Sequence, residues 1–232
     1  MRCLALRWRH DDAIDAGSLV PLAWATALLP LATMHVCYLL SASEQLVPWC
    51  LPWFEGCTSI SRASRSGTAY FVFKAGMLPA CVCMMLFWWA NRHWLRHMQV
   101  EPKIWWWLGM LAALPLALYT VVLGHAGDTP YLLRRIGVVG FFGLTFLAQL
   151  GLSVSLRHSP MSAAGNSLLR LWGFTLLVGI ASLILGVIWP EHYDTMDDGF
   201  EWALAVLINL HTLRVAWLWQ RSGFAVNVSS VS

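Results

Sequence analysis

Six long apolar runs constrain this chain more than any other feature of its sequence. They cover residues 19–40, 70–90, 104–123, 136–155, 171–189 and 200–219, and the last is apolar as far as 213 before Arg214. A helix rises about 1.5 Å per residue, so roughly 20 residues cross the 30 Å hydrocarbon layer of a bilayer. The sixth run is long enough if Arg214 snorkels to the interface. The runs predict an all-α polytopic bundle of six transmembrane helices.

Composition agrees with a membrane protein. Hydrophobic residues make up 58% of the chain and charged residues only 12%, roughly half the charged share of a soluble domain. The net charge is +3, and the basic residues form short clusters between apolar runs rather than one basic face. This pattern excludes nucleic acid as an expected partner.

The placement of lysine and arginine predicts that both termini are cytoplasmic. With the N-terminus inside, ten of the fifteen basic residues lie inside and five outside, as the positive-inside rule requires. Residues 1–18 are then a cytoplasmic segment, 19–221 the membrane domain and 222–232 a flexible cytoplasmic tail. A cleaved signal peptide is the alternative, but the first apolar run is longer than the usual 7–15 residues of such peptides.

Two cysteines share the first predicted outer loop. Cys50 and Cys57 are seven positions apart, and an oxidising compartment would allow a disulfide between them. Two free thiols remain the alternative if the loop geometry keeps their Cα atoms more than about 7 Å apart.

The same loop carries hydroxyl and guanidinium groups immediately before the second apolar run. They belong to Ser59, Ser61, Arg62 and Arg65. Arginine binds phosphate with a two-pronged donor set and serine adds single hydrogen bonds, so the segment is a candidate site for a lipid headgroup. The alternative is a solvated loop whose serines cap the second spanning helix.

Arg134 and Arg135 provide two further cations on the same predicted face. The sequence places them at the start of the fourth spanning helix, whose N-terminus attracts anions. We predict that they complete the headgroup site with the first loop. Interfacial snorkelling is an equally good interpretation.

A metal site is a weaker prediction for this face. The candidate ligands are His125, Asp128, His192 and Asp194, in a region rich in acids. No HExxH pattern or EF-hand spacing is present, and pairing of the acids with the arginines explains them at least as well. No metal or other cofactor is therefore predicted.

Polar residues within the apolar runs are expected to bond between helices. Those residues are His35, Gln149, Asn209 and His211, which must find partners inside the bundle. Three glycines in the fourth run, at 137, 140 and 143, indicate close helix packing.

The first loop resembles that of a known membrane protein family. The segment Ser59-Ile60-Ser61, with the basic residues after it and the six-helix layout, is similar to the DRAM/FRAG/SFK family of autophagy modulators and GPI-anchor lipid remodelling proteins. Cys57 and Thr58 stand where that family often has proline. The resemblance implies a role in lipid organisation or remodelling, and it supplies no catalytic residues.

These observations favour a protein that binds or organises lipid headgroups at the extracytoplasmic face without catalysis. Its expected partners are membrane lipids, with a membrane-protein partner or a homo-oligomer as further candidates. The expected location is the bacterial inner membrane. A membrane-embedded lipid hydrolase or acyltransferase is the main alternative, and a transporter is the least favoured because charge is sparse at the membrane midplane.

Overall fold

The computed structural model describes residues 17–193 and 196–226, so most of the two predicted terminal segments lies outside it. The helices of this part are, in order, α1 (Val20–Ser43), α2 (Pro52–Glu55), α3 (Ile60–Ala63), α4 (Gly67–His97), α5 (Trp105–Leu111), α6 (Ala113–Val122), α7 (Asp128–Arg157), α8 (Ser162–Ile188), α9 (Pro190–Tyr193) and α10 (Asp197–Ser222). Six spans are long and apolar enough to cross a membrane: α1, α4, α5 with α6, α7, α8 and α10. The predicted all-α fold with six spanning helices is confirmed, and the chain is a multi-pass membrane protein.

The spanning helices extend beyond the apolar runs at several ends. α7 begins at Asp128, with Pro130 in its first turn, rather than at 136. Arg134 and Arg135 therefore lie in the second turn, and the prediction that they start the helix is wrong. Hydrophobicity marks only the part of a helix that lies in hydrocarbon, whereas backbone hydrogen bonding continues into the polar interface.

The six spans form a closed ring in chain order. α1 packs on α4 and α10, the α5–α6 span lies between α4 and α7, and α8 lies between α7 and α10. α8 is the outermost helix, with only 11% of its span buried. α7 and α10 touch only lightly, which leaves space between them near one end of the bundle.

The third span is interrupted at Ala112, between α5 and α6. Pro115 lacks the N–H that would bond the carbonyl of the preceding turn, which accounts for the break. Gly137 of α7 lies against this region, and a Cβ there would come within 2.8 Å of the Pro115 carbonyl oxygen. Gly140 also faces Pro115, but Gly143 contacts nothing within 4 Å. Two of the three predicted glycines therefore serve close packing.

Polar side chains link α7 to α10 inside the bundle. Gln149 donates to the Ile208 carbonyl at 2.9 Å, and the Ser153 hydroxyl lies 2.9 Å from Nε2 of His211. These bonds confirm the predicted interhelical role of Gln149 and His211. His35 and Asn209 differ, because their side chains form hydrogen bonds with carbonyls one turn back in their own helices.

The two ends of the bundle carry different structural features. Gly17–Ser18 (β1) pairs antiparallel with Ala225–Val226 (β2), so both ends of the described chain meet at one end of the bundle. We call this end the terminal face. The opposite end carries the loop with Cys50 and Cys57 and is called the disulfide face.

Candidate functional site

The disulfide loop is anchored on α1. Cys50 and Cys57 are joined, with their Cα atoms 6.6 Å apart, and Gly56 between them adopts a left-handed conformation with φ of 58°. The Tyr38 hydroxyl accepts a hydrogen bond from the Cys50 amide at 2.8 Å and donates to the Cys50 carbonyl at 2.7 Å. These contacts fix the start of the loop against the bundle.

Trp202 of α10 anchors the other end of the loop. Its indole N–H donates to the Thr58 carbonyl at 2.8 Å, and its side chain is completely buried. The rings of His35, Tyr38 and Trp53 surround it at centroid distances of 5.4 to 6.2 Å. The predicted Ser/Arg segment is therefore held over the end of the bundle beside α10.

The serines of this segment do not cap the second spanning helix. The Ser59 hydroxyl instead accepts a hydrogen bond from the Arg62 amide at 3.0 Å and caps α3. The first turn of α4 is served by Glu44, whose carboxylate accepts from the Thr68 amide at 3.1 Å. The alternative interpretation, in which these serines cap the second spanning helix, is therefore wrong. The Glu44 carboxylate binds the amide in the first turn of that helix instead.

Ser61 belongs to a polar centre that the sequence patterns did not indicate. Its hydroxyl lies near the hydroxyl of Tyr119 on α6, and the Glu201 carboxylate of α10 lies near the backbone amides of Ile60 and Ser61. We call Ser61, Tyr119 and Glu201 the Glu201 centre. The sequence feature that could have indicated this centre is the position of Glu201, an acid only one residue inside the sixth predicted apolar run. No sequence feature set Tyr119 apart from the other residues of its apolar run.

The four arginines have different environments. Arg62 lies 3.9 Å from the Asp198 carboxylate, with its side chain 52% exposed. Arg134 donates to the His125 carbonyl at 2.7 Å, and Arg135 lies over the Tyr131 ring at 5.8 Å. The exposed Arg65 guanidinium makes no ion pair or hydrogen bond with residues 17–193 or 196–226.

The structure therefore gathers most of the predicted site. Ser59 and Arg62 both interact with Asp198, and Ser61 lies in the Glu201 centre. Arg134 donates to the His125 carbonyl, and Arg65 is close to it, because a Cβ at the neighbouring Gly124 would come within 3.0 Å of the Arg65 carbonyl oxygen. Arg135 is the residue of the predicted headgroup site that does not lie in this arrangement.

An apolar cavity lies below the Glu201 centre. It has a volume of about 60 Å³ and lies among α1, α4, α6, α7 and α10, with Ile60 of α3 also in its wall. Its apolar wall includes Met34, Phe73, Met77, Leu116 and Phe141, and its polar members are Tyr119, Glu201 and Asn209. The eight residues from Glu201 to Asn209 correspond to about 12 Å along the helix axis. The cavity thus extends from the disulfide face into the depth of the membrane-spanning region.

The predicted metal ligands do not form a cluster in the part of the chain that the structure describes. No group of three or more His, Cys, Asp or Glu side chains there could hold a metal ion. His125, Asp128 and His192 are exposed, and Asp194 lies outside the described residues.

Comparisons with protein-family models, with curated proteins and with solved structures found no match to this chain. The resemblance of the first loop to the DRAM/FRAG/SFK family therefore stays a prediction from sequence.

Proposed function

We propose that this membrane protein binds the phosphate-bearing headgroup of a membrane lipid at its disulfide face, without catalysis. The observation that carries the proposal is that arginines and serines of the first loop and of α7 gather at the disulfide face, directly above an apolar cavity lined by Tyr119 and Glu201. A lipid has this same two-part chemistry, a charged end joined to an apolar chain. The resemblance of the first loop to the DRAM/FRAG/SFK family, which implies a role in lipid organisation, supports the same function.

Arg65 is the strongest candidate to contact the phosphate. Its guanidinium is exposed and makes no ion pair with any described residue, whereas Arg62 is already beside Asp198. A guanidinium binds phosphate oxygens in bidentate geometry. Arg134 is the second candidate, because one of its terminal nitrogens is held by His125 and its remaining donors could reach a ligand.

The proposal includes an orientation in which the disulfide face is extracytoplasmic. The five basic residues predicted outside lie toward this face and the other ten toward the terminal face or in the preceding segment, which is the distribution expected from the positive-inside rule. A disulfide also persists best in an oxidising compartment. The bacterial inner membrane is the location proposed with this orientation.

Substitution of Arg65 tests the headgroup proposal. Arg65→Gln removes the charge from an exposed position, so we expect unchanged thermal stability but at least roughly tenfold weaker phospholipid binding. Loss of a charge-assisted hydrogen bond costs about 1.5–3 kcal/mol, which corresponds to such a change in affinity. Phospholipid retained by the purified protein, measured by mass spectrometry, is the readout.

Arg96→Gln is the matched control, because Arg96 is an exposed arginine at the terminal face. It should leave lipid retention unchanged. Equal retention by the wild type, Arg65→Gln and an Arg65→Gln/Arg134→Gln double variant would refute the headgroup proposal.

The enzyme alternative needs a nucleophile beside a base that substrate can reach. Within the described residues, Ser153 and His211 form a serine–histidine hydrogen bond. Their exposed fractions are only 0% and 2%, and the bond joins two helices in the bundle interior. This geometry favours a structural role for the pair, so binding is the function that we propose.

A further inference from the structure

We infer that the bound headgroup is zwitterionic and carries a primary amine as well as a phosphate, as a phosphatidylethanolamine does. This inference rests on the proposed function and specifies the class of lipid for the same site. The observation behind it is that a carboxylate and several guanidinium groups lie at the same end of the bundle. Glu201 lines the cavity, and Arg62 lies 3.9 Å from Asp198, about one turn before Glu201 on α10. Arg134 donates to the His125 carbonyl, and a Cβ at the neighbouring Gly124 would come within 3.0 Å of the Arg65 carbonyl oxygen.

Glu201 lacks a cation of its own. Its carboxylate interacts with the amides of Ile60 and Ser61 and lines the cavity, but no lysine or arginine in the described chain forms an ion pair with it. A poorly hydrated carboxylate is costly without a compensating positive charge. An ammonium group of the ligand would provide that charge.

A headgroup with phosphate alone suits this site less well. It would satisfy Arg65 and Arg134 but would bring a third anion toward Glu201 and Asp198, two carboxylates that lie about one turn apart on α10. An ethanolamine headgroup places its ammonium two carbon atoms from the phosphate oxygen. It can therefore satisfy the arginines and the carboxylate together.

The type of amine also follows from the surroundings. A primary ammonium donates hydrogen bonds, so it suits a carboxylate and a phenol hydroxyl. A quaternary choline has no donor and is usually bound by an aromatic cage. Phe73, Phe141 and Phe142 line the cavity together with Tyr119, but phenylalanine rings accept no hydrogen bond, and the nearby Trp202 is enclosed by other rings. The Glu201 carboxylate and the Tyr119 hydroxyl are lining groups that accept hydrogen bonds from an ammonium group. The site therefore favours ethanolamine over choline.

The test is a lipid competition on the full-length protein. The purified chain is equilibrated with mixed micelles that contain equal amounts of phosphatidylethanolamine, phosphatidylglycerol and phosphatidylcholine with identical acyl chains. Retained lipid is then quantified by mass spectrometry. We expect at least roughly fivefold enrichment of phosphatidylethanolamine over each of the others. Glu201→Gln should reduce this ratio to near one.

Two further variants guard against a merely structural effect. Glu201→Asp keeps the charge and should retain the preference for phosphatidylethanolamine. Glu191→Gln is the matched control, since it removes an exposed carboxylate from the short helix α9 at the same face, and it should leave the ratio unchanged. Soluble glycerophosphoethanolamine, added at the same concentration as the lipid, should not displace it, because it lacks the acyl chain whose first methylene groups the cavity would hold.

Each contrary outcome has a distinct meaning. Equal retention of the three lipids by the wild type, with retention still dependent on Arg65, overturns the amine preference and leaves headgroup binding intact. Displacement by the soluble compound overturns the assignment to a lipid. Retention that does not depend on Arg65 or Arg134 overturns the proposed function itself. A preference that survives Glu201→Gln overturns the role of Glu201.

Discussion

At the residue scale, the site depends on a few side chains that fix the first loop against the bundle. Trp202 is one of them, because one buried indole both donates to the Thr58 carbonyl and fills the space among three aromatic rings. It acts together with the packing of α2 and α3 on α10 and with the Arg62–Asp198 pair. Trp202 therefore links the local structure of the loop to the placement of Ser59 and Ser61.

Replacement of Trp202 by phenylalanine should destabilise the protein. Thr58 is fully buried, and loss of the indole donor leaves its carbonyl without this partner, at a cost of about 1–3 kcal/mol. A lower thermal unfolding temperature in detergent is the expected result. Trp189→Phe is the control, because Trp189 is 62% exposed. Equal unfolding temperatures for both variants and the wild type would show that the Trp202 contact does not hold the loop.

At the element scale, the number of spanning helices can be predicted from the lengths of the apolar runs, but the ends of the helices and their contacts cannot. The apolar runs predicted six spans because a bilayer of fixed thickness accepts helices of about 20 residues. The start of α7 at Asp128 could not be predicted in this way, since Asp128 and Arg134 lie outside any apolar run. Tyr119 and Glu201 were missed because they come from different helices, and only packing brings them to Ser61.

The contact between α7 and α10 gives an element-scale prediction. Ser153→Ala and His211→Ala should each lower stability, and a double-mutant cycle should give a coupling energy of about 0.6 kcal/mol, the typical value for such bonds in membrane proteins. Thermal or denaturant unfolding of the four proteins provides the measurement. Strictly additive effects would mean that the 2.9 Å contact adds nothing to the association of the two helices.

At the scale of the whole molecule, the ring of helices has two ends with different side chains and secondary structure. The terminal face joins the two ends of the described chain, while the disulfide face carries the gathered arginines, acids and serines. α8 presents an apolar surface outward, with Leu183 and Val187 exposed by 73% and 83%. Such exposure is expected of a helix that faces lipid.

Topology mapping tests the orientation proposed for this arrangement. Reporter fusions after Met98 and Pro160 should indicate the cytoplasm, because these positions lie in the predicted inside loops. Fusions after Glu55 and Thr129 should indicate the opposite side of the membrane. A reversed result at both members of either pair would contradict the positive-inside assignment and place the Glu201 centre toward the cytoplasm.

In the proposed complex, one lipid molecule places its headgroup at the arginine-lined site and the first methylene groups of an acyl chain in the cavity below it. Photo-crosslinking tests this claim most directly, with a phosphatidylethanolamine whose acyl chain carries a photoreactive group near its carbonyl end. We expect labelled peptides that contain Met77 or Phe141 of the cavity wall. Labelling of these peptides in Arg65→Gln should be at least roughly tenfold lower than in the wild type. Labelling confined to the exposed surface of α8, and equal in both proteins, would contradict it.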